Sequence, residues 1–199
     1  DVDRLCERAA QLIADGNVVA WFRGRMEWGA RALGNRSILA DPRRADTRDR
    51  INKKVKYREE FRPFAPSILK EAVDEYFEGH AENGDEGGAA PDPFMQQVYP
   101  IREEKRDEIP AVTHVDGTGR LQAVYADTNP IYHQLISTFA EETGVPVLLN
   151  TSFNENEPIV NTPEEALDCF FRTNMDAVVI ENTLVRRQPV EAAATEGEA

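Results

Sequence analysis

Few cysteines and the absence of long apolar runs exclude several classes of protein for this chain of 199 residues. Its two cysteines, Cys6 and Cys169, are too few for a disulfide framework and lack zinc-binding spacing, so we expect a cytoplasmic protein. No segment approaches the ~18 consecutive apolar residues of a membrane span, and no basic and apolar signal segment opens the chain, so no membrane partner is expected. Because residue 1 is not methionine and already lies in a predicted helix, we expect a fragment of a longer protein.

Motifs for metal binding and covalent catalysis are also missing from the sequence. The three histidines, His80, His114 and His133, fall in separate predicted elements without metal-ligand spacing, so no metal site is expected in this chain. There is no Walker A sequence, no dinucleotide fingerprint and no nucleophile elbow. Cys169 belongs to an apolar helix face, which predicts a core position rather than a nucleophile.

The chain is acidic overall, with a formal charge of −13, but one segment is strongly basic. Residues 21–70 hold 14 Lys or Arg and 6 Asp or Glu, a local charge of +8, whereas the other residues hold 9 bases and 30 acids. Such an acidic background repels long polyanions, which makes nucleic acid an unlikely partner. Most bases in the segment are arginines, which suit paired contacts with phosphate or carboxylate, although a solvated basic face has the same composition.

Apolar patterns predict a mixed fold, α/β or α+β, around one twisted sheet. Helices are predicted for 1–16, 46–54, 129–144 and 162–172, and strands for 18–22, 64–69, 121–125, 145–150 and 177–180. Pro66 in the second of these strands predicts an edge position or a bulge. We expect a single domain over 1–187 with a mobile acidic loop at 78–93, followed by a disordered tail at 188–199.

Two basic segments are candidates for anion binding. The first, residues 24–37, follows a predicted strand and combines three glycines with Arg25, Arg31 and Arg36, which is typical of a loop that surrounds an anion. The second, residues 52–64, places five bases among three aromatic residues; its bases include Lys56, Arg58 and Arg62. The alternatives are a surface turn with solvated arginines for the first, and core aromatics with solvent-facing bases for the second.

Two polar turns complete the candidate site. Asn150, Ser152 and Asn154 directly follow the apolar residues 145–149 of a predicted strand, at the end where α/β sheets tend to bind ligands. Arg120 follows a glycine-rich turn at the start of another predicted strand. Each is an ordinary polar turn when taken alone. Together, the four segments favour positioning and charge neutralisation of a phosphorylated substrate over covalent catalysis.

The four segments in this order resemble one family. The sequences GRMEWGARALGNRSILADPR, INKKVKYREEFRPFAPSIL, DGTGRLQAV and TGVPVLLNTSFNENEPIVNTPEEAL are similar to the carboxyl-terminal domain of the nodulation-type and antibiotic-modifying O-carbamoyltransferases. The resemblance covers about Val18 to Arg186. It implies an α/β, YrdC-like twisted open sheet with flanking helices, similar to threonylcarbamoyl-adenylate synthases.

The resemblance also implies a reaction and a set of site residues. Domains of this kind bind carbamoyl phosphate and ATP, the latter with Mg²⁺ as co-substrate, and form a carbamoyl-adenylate. An amino-terminal transferase domain then moves the carbamoyl group to an acceptor hydroxyl, and nothing in this chain matches the histidine motif of that domain. The residues carried over as catalytic are Arg31, Lys56, Arg120 and Ser152, and those carried over as substrate- or nucleotide-binding are Arg25, Arg36, Arg58, Arg62, Asn150 and Asn154.

Two other functions fit the residues. The basic segment could bind RNA or a nucleotide without catalysis, which predicts binding with a steep salt dependence. A purely structural or regulatory domain would bind neither RNA nor carbamoyl phosphate.

Overall fold

The computed structural model describes residues 1–57, 63–79 and 90–188. Within these residues, the helices and strands follow one another in an order that mixes both types. The α-helices are α1 (Val2–Ala14), α2 (Thr47–Ile51), α3 (Val73–Tyr76), α4 (Pro130–Thr143) and α5 (Pro163–Arg172). The strands are β1 (Val19–Phe22), β2 (Arg36–Ala40), β3 (Ala65–Leu69), β4 (Tyr99–Pro100), β5 (Thr118–Gly119), β6 (Gln122–Val124), β7 (Val147–Ser152), β8 (Ala177–Ile180) and β9 (Thr183–Arg186).

Seven of the strands form one mixed sheet in the order β6-β3-β7-β2-β1-β8-β9, and β4 pairs with β5 in a separate ribbon. β1–β8 and β3–β6 are parallel pairs, and the other neighbours in the large sheet are antiparallel. Every residue of β1, β2 and β3 is buried, so both faces of the sheet centre are covered. Helices α1 and α4 pack against each other and the central strands, and α5 packs on β1 and β8.

The helix ends follow their local sequence signals. The side chain of Asn129 accepts a hydrogen bond from the Tyr132 N–H at the start of α4, and Gly144 ends that helix in the left-handed region with φ of 78°. α5 begins with a capping box between Thr162 and Glu165. Both helices have proline in their first turn. The predicted boundaries of α4 and α5 are therefore confirmed.

Two predictions about strands need correction. Pro66 lies in β3, which is an interior strand of the sheet and pairs with β7 and β6. The proline is tolerated because β6 reaches only Ser67 to Leu69, so Pro66 itself faces β7 alone through its pairing with Leu149. The polar segment at Arg36 also begins a strand, β2, where only a loop was predicted.

The predicted acidic loop and tail lie mostly outside the described residues. Residues 80–89 of the loop and 189–199 of the tail belong to the undescribed ranges. At the described end of the loop, the buried Asp92 carboxylate accepts hydrogen bonds from the N–H groups of Phe94, Gln96 and Gln97. No helix among the described residues is long and apolar enough to span a membrane.

Candidate functional site

Four strand ends meet at one edge of the large sheet. Ser152, at the end of β7, pairs with Ser37 near the start of β2, and Asn150 pairs with Ala65 at the start of β3. Because β6 runs parallel to β3, its first residue, Gln122, lies beside Ser67 at the same edge. The antiparallel β7 thus brings its carboxyl end to the amino ends of its neighbours, and the polar turns predicted from sequence converge there.

A small polar cavity of about 90 Å³ opens at this edge. Its described lining residues are Ala30, Arg31, Ala32, Pro63, Phe64, Ala65, Met95, Arg120, Asn150, Thr151 and Ser152. Arg31 comes from the loop between β1 and β2, Arg120 precedes β6, and Ser152 ends β7. Two of these lining residues are arginines and none is acidic, so the cavity matches a small anion in charge and in size.

Lys56 lies behind Ser152 and is not one of the described residues that line the polar cavity. It ends a π-helical turn, Asn52–Lys56, which continues α2 and closes at Tyr57 in the left-handed region with φ of 43°. The Lys56 side chain is buried, and its Nζ donates to the carbonyl oxygens of Ser152 and Asn154 at 2.7 Å each. It also contacts Asn154 Oδ1 at 2.7 Å and Ser152 Oγ at 3.3 Å. Lys56 therefore fixes the turn that presents Ser152.

A buried hydrogen-bond network forms the floor of the polar cavity. The Nδ2 of Asn150 donates to Ala32 O at 3.1 Å, Ser67 Oγ at 3.0 Å and Gln122 Oε1 at 3.1 Å. Gln122 Nε2 in turn donates to Leu33 O at 2.7 Å. These contacts attach the arginine-bearing loop to β6 and β7. Sequence reasoning missed Ser67 and Gln122, although polar side chains within buried strands were the available signal.

Tyr132 lies beneath this network and is fully buried. Burial raises the pKa of its hydroxyl, and the adjacent Ser67 and Asn150 side chains only partly oppose that shift. The tyrosine is therefore neutral and serves as packing for the loop above it. Its ring leaves no room for a side chain at Gly34, where a Cβ would lie 2.2 Å from Tyr132 Cδ1.

Arg120 lies close enough to His114 to influence the pKa of that histidine. Burial is the largest cause that lowers the pKa of His114, and Arg120 and Arg48 lower it further against the opposing effect of Asp116. The charges of Arg120 and Arg48 thus act on His114 in the same direction as burial, and Asp116 acts against them.

A second, larger cavity lies on the other side of the loop backbone. It has a volume of about 390 Å³ and a mainly apolar wall. Its described lining residues are Glu27, Leu33, Asn35, Pro93, Phe94, Gln122, Ala123, Val124, Tyr125, Asp127, Thr128 and Asn129. We call it the apolar cavity. Consecutive residues Ala32 and Leu33 line the polar and apolar cavities respectively, so one loop forms part of both.

The remaining predicted site residues are distributed differently. The Arg36 side chain is buried over the Phe22 ring, and its Nη1 and Nη2 donate to the carbonyl oxygens of Arg23 and Gly24. Burial lowers the pKa of Arg36. The hydrogen bonds of Arg36 fix the backbone at Arg23 and Gly24, and the residue lines neither cavity. Arg25 is exposed on the loop between β1 and β2. The predictions for Arg58 and Arg62 fall outside the described residues.

The structure thus brings Arg31, Arg120, Asn150 and Ser152 together around one cavity, with Lys56 and Asn154 directly behind Ser152. Within the described ranges, no group of three or more His, Cys, Asp or Glu side chains could hold a metal ion.

Sequence comparisons identify the family to which the chain belongs. The family model for the carbamoyltransferase C-terminus matches residues 10–187. The chain is 50% identical over 192 residues to nodulation protein NolNO of Sinorhizobium fredii, and this match covers 94% of the chain and 27% of NolNO. It is 44% identical over 169 residues to the 3'-hydroxymethylcephem-O-carbamoyltransferase of Amycolatopsis lactamdurans, covering 84% of the chain and 30% of that enzyme. The chain therefore spans under one third of the length of these relatives.

Solved structures with low sequence identity share the fold. Sua5 of P. abyssi, complexed with L-threonine, superposes with a TM-score of 0.65 at 16% identity, covering 90% of this chain and 47% of Sua5. Full-length HypF in its phosphate- and nucleotide-bound form superposes with a TM-score of 0.59 at 18% identity, covering 89% of this chain and 21% of HypF. The predicted YrdC-like sheet is confirmed. With the sequence matches, these findings show that the chain belongs to the carbamoyltransferase C-terminus family, the carboxyl-terminal part of the O-carbamoyltransferases.

Proposed function

We propose that this domain binds carbamoyl phosphate and MgATP and forms a carbamoyl-adenylate. The observation that carries the proposal is the convergence of Arg31, Arg120 and Ser152 on one small polar cavity from three distant segments. Carbamoyl phosphate is a small dianion, and two guanidinium groups with the Ser152 hydroxyl neutralise and orient such a group. A cavity of about 90 Å³ among the described residues suits this small substrate better than a nucleotide.

The apolar cavity is the proposed position of the nucleoside. Its volume of about 390 Å³ fits a purine nucleoside better than the polar cavity does. Phe94 and Tyr125 offer aromatic rings against which a base can stack, and Asp127 and Asn129 offer polar groups for the ribose hydroxyls. The two cavities share one loop, so the triphosphate of a nucleotide in one would reach toward the carbamoyl group in the other.

The proposed chemistry needs positioning rather than a covalent enzyme intermediate. Water converts carbamoyl phosphate to carbamate and phosphate. An oxygen of the carbamate then attacks the α-phosphorus of ATP, and the bond between that phosphorus and the bridging oxygen of pyrophosphate breaks. The products are carbamoyl-adenylate and pyrophosphate. Because anionic groups must approach one another, Arg31 and Arg120 lower the barrier by offsetting their repulsion. Mg²⁺ enters as the companion of the ATP phosphates.

Transfer of the carbamoyl group to an acceptor hydroxyl is the proposed task of an amino-terminal domain in the whole protein. The chain covers only 27% and 30% of two relatives, one of which is named as an O-carbamoyltransferase. The acceptor specificity would then lie outside the residues of this chain.

Isothermal titration of the chain with carbamoyl phosphate tests the site. We expect binding by the unmodified chain and a loss of affinity of about 10-fold or more in Arg31→Ala and Arg120→Ala, because each removes a charge-assisted hydrogen bond. Arg44→Ala is a matched control, since Arg44 is exposed and pairs with Asp46. Equal affinity in all four proteins would place the carbamoyl phosphate site elsewhere. Retention of generic RNA by the chain, without carbamoyl phosphate binding, would favour a nucleic-acid-binding module.

A further inference from the structure

We infer that Glu27 is a positioning residue that holds the loop carrying Arg31 in the shape of an anion site. This inference rests on the proposed function only for the identity of the anion that the polar cavity binds. The geometry of the loop stands independently. Glu27 belongs to the glycine- and arginine-rich segment, but its own role does not follow from the sequence pattern.

One carboxylate oxygen of Glu27 closes the loop on itself. Its Oε1 accepts hydrogen bonds from the backbone N–H groups of Leu33 at 2.7 Å, Asn35 at 2.8 Å and Arg36 at 3.4 Å. Hydrogen bonds to an ionised carboxylate are stronger than neutral ones. The contacts therefore join the two ends of a ten-residue segment, with Arg31 near its middle.

The opposite side of the loop is attached to the floor of the polar cavity. The carbonyl oxygen of Ala32 accepts from Asn150, and that of Leu33 accepts from Gln122. The backbone next to Arg31 is thus fixed from two directions: by the Glu27 carboxylate and by side chains of β6 and β7. Without Glu27, the attachment to the sheet would remain, together with the hydrogen bond from Asn35 Nδ2 to the carbonyl oxygen of Arg25. The three N–H groups that share the Glu27 carboxylate would lose their acceptor.

Arg31 depends on this backbone because its side chain is exposed. A long, exposed guanidinium loses conformational entropy when it binds an anion, and a fixed backbone reduces the volume that it samples. Glu27 therefore acts on anion affinity through Arg31. The second oxygen of Glu27, Oε2, is buried, and the residue also lines the apolar cavity.

A charge effect and a positioning role predict opposite changes in anion affinity when Glu27 is replaced. Removal of a negative charge near an anion site tightens anion binding by Coulomb's law. Loss of the loop clamp weakens it. The direction of the change in carbamoyl phosphate affinity therefore separates a positioning role from a simple charge effect.

The experiment compares Glu27→Ala, Glu27→Gln and the unmodified chain, with Glu7→Ala, an exposed change in α1, as control. Titration with carbamoyl phosphate is expected to show at least a 10-fold loss of affinity for Glu27→Ala. Glu27→Gln keeps an acceptor oxygen and is expected to stay within about threefold of the unmodified chain. Tighter binding by Glu27→Ala, or unchanged binding, would overturn the inference.

A double-mutant cycle shows whether the effect passes through Arg31. We expect Arg31→Ala to add little to the loss already caused by Glu27→Ala, whereas Arg120→Ala adds its full effect. Full additivity of Glu27→Ala with Arg31→Ala would contradict a role through Arg31.

Hydrogen exchange without ligand tests the clamp separately from the proposed function. The amides of Leu33, Asn35 and Arg36 are expected to exchange at least 10-fold faster in Glu27→Ala, with amides of α4 unchanged. If the unmodified chain fails to bind carbamoyl phosphate, the proposed function fails, and this exchange measurement still decides whether the clamp exists. If Glu27→Ala does not fold, Glu27→Asp takes its place, because its shorter side chain withdraws the oxygen from the three amides. Unmodified exchange rates at these amides together with unchanged affinity in Glu27→Asp would overturn the inference.

Discussion

The ammonium nitrogen of Lys56 lies 2.7 Å from the carbonyl oxygen of Ser152, across 96 residues of sequence. The contact joins the end of a π-helical turn to the end of β7. It gives a buried lysine a structural partner and gives a candidate substrate-binding serine a fixed position. One side chain thus serves both the fold and the site.

Replacement of Lys56 is expected to reduce both stability and ligand binding. Lys56→Met leaves the oxygens of the half-buried Ser152 and Asn154 without their charged donor, at a cost of about 2 kcal/mol in the free energy of unfolding. The same change is expected to weaken carbamoyl phosphate binding by at least 10-fold, because the turn that carries Ser152 loses its anchor. Urea denaturation and titration measure the two effects.

Lys54→Met is the matched control in the same π-helical turn. Lys54 Nζ contacts the Asp176 carboxylate at 2.5 Å and 2.6 Å, away from the polar cavity. This change is expected to lower stability while leaving the affinity for carbamoyl phosphate within about twofold. Equal loss of affinity in both variants would mean that Lys56 acts only through stability.

Substitution of Gly34 is expected to disrupt the loop and the packing beneath it. Gly34 has φ of +105°, and a Cβ there would lie 2.2 Å from Tyr132 Cδ1. Gly34→Ala is therefore expected to cost about 3 kcal/mol or more from backbone strain and displacement of the buried ring. Gly29→Ala, at φ of +129° with open space around its Cβ, should cost only about 1 kcal/mol of strain. Thermal or urea unfolding of the two variants measures the difference.

Acid is expected to destabilise the domain partly through Glu157. Burial opposes ionisation of this carboxyl, but backbone N–H donors outweigh it and lower its pKa to about 2. Its carboxylate also pairs with Arg172 at 2.9 Å. Because the folded-state pKa lies below the unfolded value, the stabilisation is complete above about pH 4.5 and is lost as pH falls toward 2. Stability measured against pH should therefore fall less steeply in this range for Glu157→Gln, and parallel curves would contradict the assignment.

Truncation of the Phe94 side chain is expected to weaken the binding of only one of the two proposed ligands. Phe94 lines the apolar cavity and is 54% exposed, so its loss should leave the fold intact. Phe94→Ala is expected to weaken ATP binding by about 10-fold through lost stacking, with carbamoyl phosphate binding unchanged. Titration with each ligand checks this, and loss of carbamoyl phosphate affinity alone would reverse the assignment of the two cavities.

Local sequence signals predicted the longer helices well because their determinants are local, whereas the short α3 was missed and the helix predicted at 46–54 becomes a π-helical turn after Ile51. Asn129 with Gly144 marks α4, and Thr162 with Glu165 marks α5. The strands were less predictable. β2 begins with Arg36 and Ser37, whose polar character indicates a loop, and only the sheet reveals that both are buried. β9 at the sheet edge is mostly exposed and lacks an apolar pattern.

The residue types of the candidate site were predictable, but their relationships were not. The arginine-rich loop and the polar residues that the structure places at the end of β7 indicated an anion site. Lys56 supports Ser152, and Arg36 donates hydrogen bonds to backbone carbonyl oxygens instead of lining a cavity. Both roles depend on contacts between distant parts of the chain, which no local sequence pattern contains. The network of Ser67, Gln122 and Asn150 requires the strand register as well.

Exchange of labelled pyrophosphate into ATP measures carbamoyl-adenylate formation most directly. The chain is incubated with MgATP, labelled pyrophosphate and carbamoyl phosphate, and label in ATP is counted. We predict exchange that requires carbamoyl phosphate, is lost in Arg120→Ala and persists in Arg44→Ala. Absence of exchange in a chain that binds both ligands, or exchange that is independent of carbamoyl phosphate, would contradict carbamoyl-adenylate formation by this domain.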